Sequence, residues 1–298
     1  MLQTSQKINL REERDFGEKL NATFRFIRLN FKPLFKSLLL YAVPVALLGG
    51  VLSGLSQART LRRLSGGDNY ETFGELAFAQ QLTSVNYIFS VFLSMISILM
   101  VYLVVNAYVV AYQDEDGERE VLPGAVWEHV KANLLKVVYS GIALGIVTFL
   151  SFFLFGLGIY FGVVLSLFVT VMVREESSMI DTIERCFYLI KRNWWATFAL
   201  LIVVGMIQAV IGWLAAVPFG AVMILSGMQL ISSENQFLLI ASNTLATLLT
   251  TLSYVISAVA IAFQYFNLVE EKDGIGLMEQ ADMIGRHDLS TSANEGEF

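Results

Sequence analysis

Five stretches of the chain hold no Asp, Glu, Lys or Arg: residues 37–58, 76–113, 137–173, 193–233 and 235–269, which are 22, 38, 37, 41 and 35 residues long. A helix of about 20 apolar residues already spans the hydrocarbon of a bilayer. A soluble domain carries about 25% charged residues and keeps its apolar residues in short periodic runs. Here 15% of residues are charged, 55% are hydrophobic and the mean hydropathy is +0.61. These runs exclude a soluble enzyme, a nucleic-acid binder and a disordered chain. The sequence specifies an all-α polytopic membrane protein.

Length and charge set the expected number of crossings. As one helix, residues 137–173 would be roughly 55 Å long against a hydrocarbon core of ~30 Å, so the stretch has to turn back. Phe155-Gly156-Leu157-Gly158 supplies the flexible residues for that turn. Residues 37–56, 84–112 and 237–267 read as one span each. Residues 193–233 read either as one helix kinked at Pro218 or as a span followed by a re-entrant or spanning piece over 218–232. With six spans and the N-terminus inside, 17 Lys/Arg fall inside and three (Arg59, Arg62 and Arg63) fall outside, as the positive-inside bias requires. A seventh span would give the weaker split of 15 to 5. The expectation is six transmembrane helices with both termini cytoplasmic, in one membrane domain over residues 1–288. No cleavable signal is read ahead of Leu38, and the acidic tail 289–298 is expected to be disordered.

Three segments share the pattern aromatic-x-x-[Ile/Val]-[Lys/Arg]-x-Asn. They are Phe24 to Asn30, Trp127 to Asn133 and Phe187 to Asn193. The spacing predicts three helical hairpins, each preceded by an amphipathic helix on the cytoplasmic face, in units of about 14–112, 121–173 and 177–269. Phe16, Leu20, Thr23/Phe24, Ile27, Phe31 and Leu34 recur at helical spacing. So do Ile180, Ile183, Phe187, Ile190 and Trp194. Ser178 and Asp181 read as a cap, with Asp181 placed to pair with Arg185 one turn on. Such helices lie in the interface with their cations at the phosphate level. Arg28, Lys131, Lys191 and Arg192 are therefore the candidate anionic-lipid residues. Asn30, Asn133 and Asn193 are the candidate elbows, because Asn tolerates left-handed backbone.

Little in the chain carries chemistry. Cys186 is the only cysteine, expected to face the cytoplasm, and His129 and His287 are the only histidines. No metal or other cofactor is expected. Glu175-Glu176 reads as a solvated helix edge. Gly50/Gly54, Gly141/Gly145 and Gly158/Gly162 are each GxxxG, and Gly205/Ala209 is a small-xxx-small pair, all read as helix-packing sites. Mid-span polar residues are amides and hydroxyls, chiefly Asn106, Gln208, Asn243 and Gln264, which more often tie helices together than line a path.

Val173-Arg174-Glu175-Glu176, Ile183 to Trp195 and Gln264 to Gly274 resemble the membrane domain fused to some bacterial glycerophosphoryl diester phosphodiesterases and its stand-alone relatives. The likeness covers roughly residues 15–280. It implies six helices and an integral-membrane role, and it carries no catalytic residue, since the soluble phosphodiesterase barrel is absent. The leading functional expectation is a non-catalytic scaffold or accessory subunit that organises lipids or a partner in the bacterial cytoplasmic membrane. Its partners would be membrane lipids, a membrane protein or a second copy, and no nucleic acid. The alternative is a transporter or channel subunit for a small or lipidic solute, which a solvated cavity lined by Asn106, Gln208 or Asn243 would favour.

Overall fold

A computed structural model describes residues 8–65, 82–114, 121–153, 157–228, 230, 236–274 and 278. The expected turn at Phe155-Gly156 and the tail 289–298 lie outside the described residues. Among the described residues ten helices follow in order: α1 Phe16–Leu29, α2 Phe31–Tyr41, α3 Val43–Ser65, α4 Val85–Asp114, α5 Pro123–Phe152, α6 Leu157–Leu165, α7 Phe168–Glu175, α8 Met179–Ile190, α9 Trp194–Gly227 and α10 Gln236–Asp273. Five helical segments are long and apolar enough to cross a membrane: α4, α5, α6 with α7, α9 and α10. There are six when α2 and α3, bent by 55°, count as one broken span. The described architecture is that of an all-α membrane protein.

Local sequence explains where the helices start and break. Asp15 caps α1 in a reciprocal box: its carboxylate accepts from Glu18 N at 2.7 Å, and Glu18 accepts from Asp15 N at 2.9 Å. The break between α2 and α3 falls at Ala42, two residues before Pro44, which has no N–H to continue the ladder. Pro123 occupies the first turn of α5, where that N–H is not needed. Ser178 caps α8 as read from the sequence. Pro218 does not divide its stretch: α9 runs unbroken through it to Gly227.

The core sits at one end of the bundle. Residues 103–112 of α4 and 257–270 of α10 are buried without interruption. A helix buried all round is enclosed by other elements, and here α1, α2, α7 and α8 provide the enclosure. Phe26 of α1 is the wedge. Its ring meets Tyr112, Phe263 and Tyr108 edge-on at 5.3, 5.9 and 6.2 Å, geometry that contributes about 0.5–1.5 kcal/mol per pair beyond area.

Two expectations need correction. The inward face of α1 is Lys19, Thr23 and Phe26, whereas Phe16 and Phe24 are exposed. The helix docks on protein through a face rotated from the one read by hydrophobicity. The second amphipathic segment is no separate helix, because Asn133 lies inside the continuous α5. Within the bundle, α6 and α7 lie at a slant. Their 19 residues span about 27 Å, yet Glu175 and Tyr160 both lie near the end of the bundle where α8, α9 and α10 meet. Glu175 accepts from Tyr265 Oη at 2.9 Å. Tyr160 O accepts from the indole of Trp194 at 3.5 Å, next to Asn193, which holds Glu271. The α6–α7 segment leans across the bundle.

Candidate functional site

The most developed polar arrangement lies where α1, α9 and α10 meet. Lys19 Nζ donates to Gln264 Oε1 at 2.9 Å, and Gln264 Nε2 donates to Thr197 Oγ1 at 2.9 Å. The Thr197 hydroxyl donates to Asn193 O at 3.0 Å, and Asn193 Nδ2 donates to Glu271 Oε2 at 2.7 Å. The seam thus runs from an ammonium to a carboxylate through neutral groups. Lys19 is 7% and Gln264 1% exposed. Burial pushes the Lys19 pKa below its ordinary value, while Glu271 and Asp15 work the other way. Beside the seam, Tyr108 Oη donates to Asn30 Oδ1 at 3.0 Å, and Asn267 Oδ1 accepts from Arg14 N at 2.7 Å. Hydrophobic periodicity does not reveal Lys19. The signal present was its spacing from Thr23, one turn on, opposite the polar Gln264 and Asn267.

A second cluster clamps α7, α8 and α10 together. Arg185 Nε donates to Glu175 Oε1 at 2.9 Å, and Arg185 Nη2 donates to Asp273. Asp181 instead stays with its cap, Ser178. The Arg185 guanidinium lies 5.3 Å from the Tyr188 ring centroid. Burial opposes its charge, but the bonds to Asp273 and Glu175 outweigh burial and raise its pKa. Glu175, read as a solvated edge, is the joint of this clamp. An adjoining cavity of 360 Å³ is lined by Arg11, Arg174, Arg185, Glu175, Tyr265 and Phe266, among others.

The four candidate lipid residues, Arg28, Lys131, Lys191 and Arg192, are all exposed. Asn30 and Asn193 each precede a new helix, but neither is left-handed: their φ, ψ are −102°, 14° and −108°, 15°. Asn133 bonds its amide to His129 O at 3.1 Å within α5, as Asn30 does to Phe26 O at 3.0 Å. At the joint between α8 and α9 the positive φ falls on Arg192, at 78°; the other non-glycine case among the described residues is Glu176, at 49°. Relieving that backbone with Arg192→Gly is expected to stabilise the protein by about 0.5–1 kcal/mol, and Arg192→Val to destabilise it by about 1–2 kcal/mol. Asn193→Gly gains nothing and loses the Glu271 bond. Thermal unfolding in detergent checks this; stabilisation by Asn193→Gly instead would refute the assignment.

The glycines divide. A Cβ on Gly50 or Gly54 would come within 3.1 Å of Thr244 Cα or 3.0 Å of Ile240 Cα, so α3 and α10 touch backbone to backbone. At Gly141 and Gly145 it would meet the side-chain ends of Leu99 and Met95 of α4 at 2.8 and 2.5 Å. At Gly162 it would meet only Thr148 Cγ2 at 4.0 Å, and at Gly205 nothing within 4 Å. Within this chain, then, neither Gly162 nor Gly205 brings two helix backbones together. Gly158 lines a cavity together with Gly162.

The mid-helix amides are engaged. Gln208 donates to Ser253 O at 3.3 Å, Asn243 donates to Gly50 O at 3.1 Å and accepts from Gln57 at 3.0 Å, and Asn106 donates to Tyr102 O at 2.8 Å. Cys186 is fully buried, and burial with Glu175 nearby pushes its thiol pKa up to about 12. It is therefore sealed from thiol reagents, and sidedness has to be read from a cysteine placed at an exposed site such as Arg28. Among the described residues, no three His, Cys, Asp or Glu side chains converge as a metal site would need. No family model, curated protein or solved structure matches the chain.

Proposed function

We propose that this protein is a six-crossing scaffold or accessory subunit of the bacterial cytoplasmic membrane, with both termini cytoplasmic, that gathers anionic lipid around one end of its bundle. One observation carries the reading: Gln208, Asn243 and Gln264 spend their amides on bonds between helices, so the polar groups that a solute path would use serve as ties. Arg28, Lys131, Lys191 and Arg192 stand exposed at the end where α4 and α10 are enclosed, the distribution a lipid-gathering face requires. The resemblance to the membrane domain of glycerophosphoryl diester phosphodiesterases supports the same role and lends no hydrolytic activity.

Each basic residue at an anionic surface contributes about 1 kcal/mol, so four give on the order of 4 kcal/mol, less under ordinary salt. Changing all four to Gln is expected to lower the anionic phospholipid that co-purifies in mild detergent while the protein remains inserted. An unchanged lipid profile in a normally inserted variant would overturn the lipid role.

A further inference from the structure

Two of the three GxxxG pairs are used for helix contact, and the third is not. Gly158 and Gly162 face Gly141 and Gly145 across a cleft of 640 Å³ between α5 and the leaning α6–α7 segment, with Leu99 of α4 at its floor. The cleft is built, because an aromatic cluster holds α6 to one side. Tyr160 stacks on Trp194 at 6.1 Å, Trp194 stacks on Phe198 at 5.0 Å, and Phe161 meets Phe187 edge-on at 6.1 Å. These contacts hold α6 toward α8 and α9, and on the α5 side the nearest atom to a Cβ on Gly162 would be Thr148 Cγ2, at 4.0 Å.

The lining decides what fits. Among the described residues no charged side chain borders the cleft, and the polar side chains there are Thr148 and Ser166. Ser166 already donates to Val163 O at 2.7 Å. A held water needs two to four polar partners, and the cleft does not supply them. Its mouth is marked by Phe149, 65% exposed, and Ile159, 48% exposed, and it continues into the exposed apolar surface of Ile146, Leu150 and Phe153. In a bilayer that surface faces hydrocarbon. The phase at the mouth is acyl chain, and the cavity is in the volume range of small-ligand sites.

We propose that the cleft between α5 and α6–α7 is a binding site for one acyl chain of a membrane phospholipid, held there longer than the lipid that bathes the outer helix faces. The proposal rests on the membrane reading given above. The four glycines make the slot narrow and smooth, which suits a linear chain. The hydroxyls are too few to orient a headgroup, so selectivity is for chain and not for charge.

The test uses full-length protein in nanodiscs of phosphatidylethanolamine and phosphatidylglycerol, doped with a phospholipid carrying a diazirine midway along one acyl chain. After photolysis, adducts are mapped by peptide mass spectrometry. Residues 141–149 and 158–169 are expected to label several-fold above the outward face of α9 around Met206, Val210 and Trp213. Gly162→Phe, whose side chain would enter the cleft beside Thr148, is expected to erase that excess and leave α9 labelling unchanged. Gly162→Leu provides the same reading if the larger side chain disturbs folding, and the wild-type ratio needs no variant at all. Equal labelling of cleft and α9 would overturn the site, as would an excess that survives both substitutions or a cleft filled by cross-linked second copy. Absence of adducts on α9 as well would overturn the membrane reading, and the site with it.

Discussion

Gln264→Leu should cost about 2–3 kcal/mol of stability, because it removes the acceptor of a buried ammonium and the donor to Thr197 in one step. Leu matches Gln in bulk, so the loss is polar and leaves packing intact. Lys19, at 7% exposure, has no route to water without withdrawing α1 from between α4 and α10. The unfolding midpoint in detergent measures the effect. The double variant Lys19→Met/Gln264→Leu should recover part of the loss, since replacing both partners by apolar groups removes the stranded charge. Additive losses in the double variant would show that the two side chains do not act as a pair.

The same lysine gives a pH dependence whose sign can be worked out. Its folded pKa lies below the ordinary 10.5 because burial disfavours the charge. Between the folded and unfolded values the unfolded chain binds more protons, so stability from this group rises with pH across that window. Below the folded pKa the full penalty of burying the charge is present. Cys186 acts in the opposite sense: its thiol is raised to about 12, so its contribution is lost as pH climbs above the unfolded thiol value. The comparison is therefore wild type against Lys19→Met. The stability difference between the two should move in favour of wild type as pH approaches 10.5, and a constant difference would show that the folded pKa of Lys19 is not lowered.

The helices and their apolar character were legible because uncharged runs of 22 to 41 residues admit few other structures. The enclosure at one end was not. Hydrophobic periodicity rotates α1 toward Phe16 and Phe24, whereas the buried face is Lys19, Thr23 and Phe26. A polar face is worth burying only when its partners are present, and Gln264 lies 245 residues away in sequence. Asn30 and Asn193 fall between helices without the left-handed backbone that Asn was read to supply. The left-handed turn fell instead on Arg192, a residue type that carries no such propensity. The lean of α6–α7 depends on Tyr160 and Trp194 meeting across 34 residues, and no local pattern encodes that. The glycine pairs show the same limit: GxxxG reports where a backbone can approach, and the partner decides whether one does.

Gly54 is where that approach is closest, and Gly54→Val should be the most damaging single change in the transmembrane region. A Cβ there would lie 3.0 Å from Ile240 Cα, 3.2 Å from Ile240 O and 3.3 Å from Ile240 Cγ2. Two of those three atoms are backbone, so no rotamer change relieves the clash and α3 has to move off α10. The same movement pulls Gly50 O from the Asn243 amide, which sits at 3.1 Å. Overpacking of this kind costs about 1–3 kcal/mol or more, and a buried amide left without its acceptor adds about 1–3 kcal/mol. Gly54→Ala should already lower the unfolding midpoint, and Gly54→Val should abolish recovery of folded protein from the membrane. Gly205→Ala is the matched control, because a Cβ on Gly205 meets nothing within 4 Å; removing a helical glycine there should be neutral or stabilising by up to about 1 kcal/mol. Cross-linking between cysteines at Leu47 and Leu245 in a Cys186→Ala background would follow the separation of α3 from α10 directly. If Gly54→Ala and Gly205→Ala melt alike, the backbone contact between α3 and α10 is not what holds that half of the bundle.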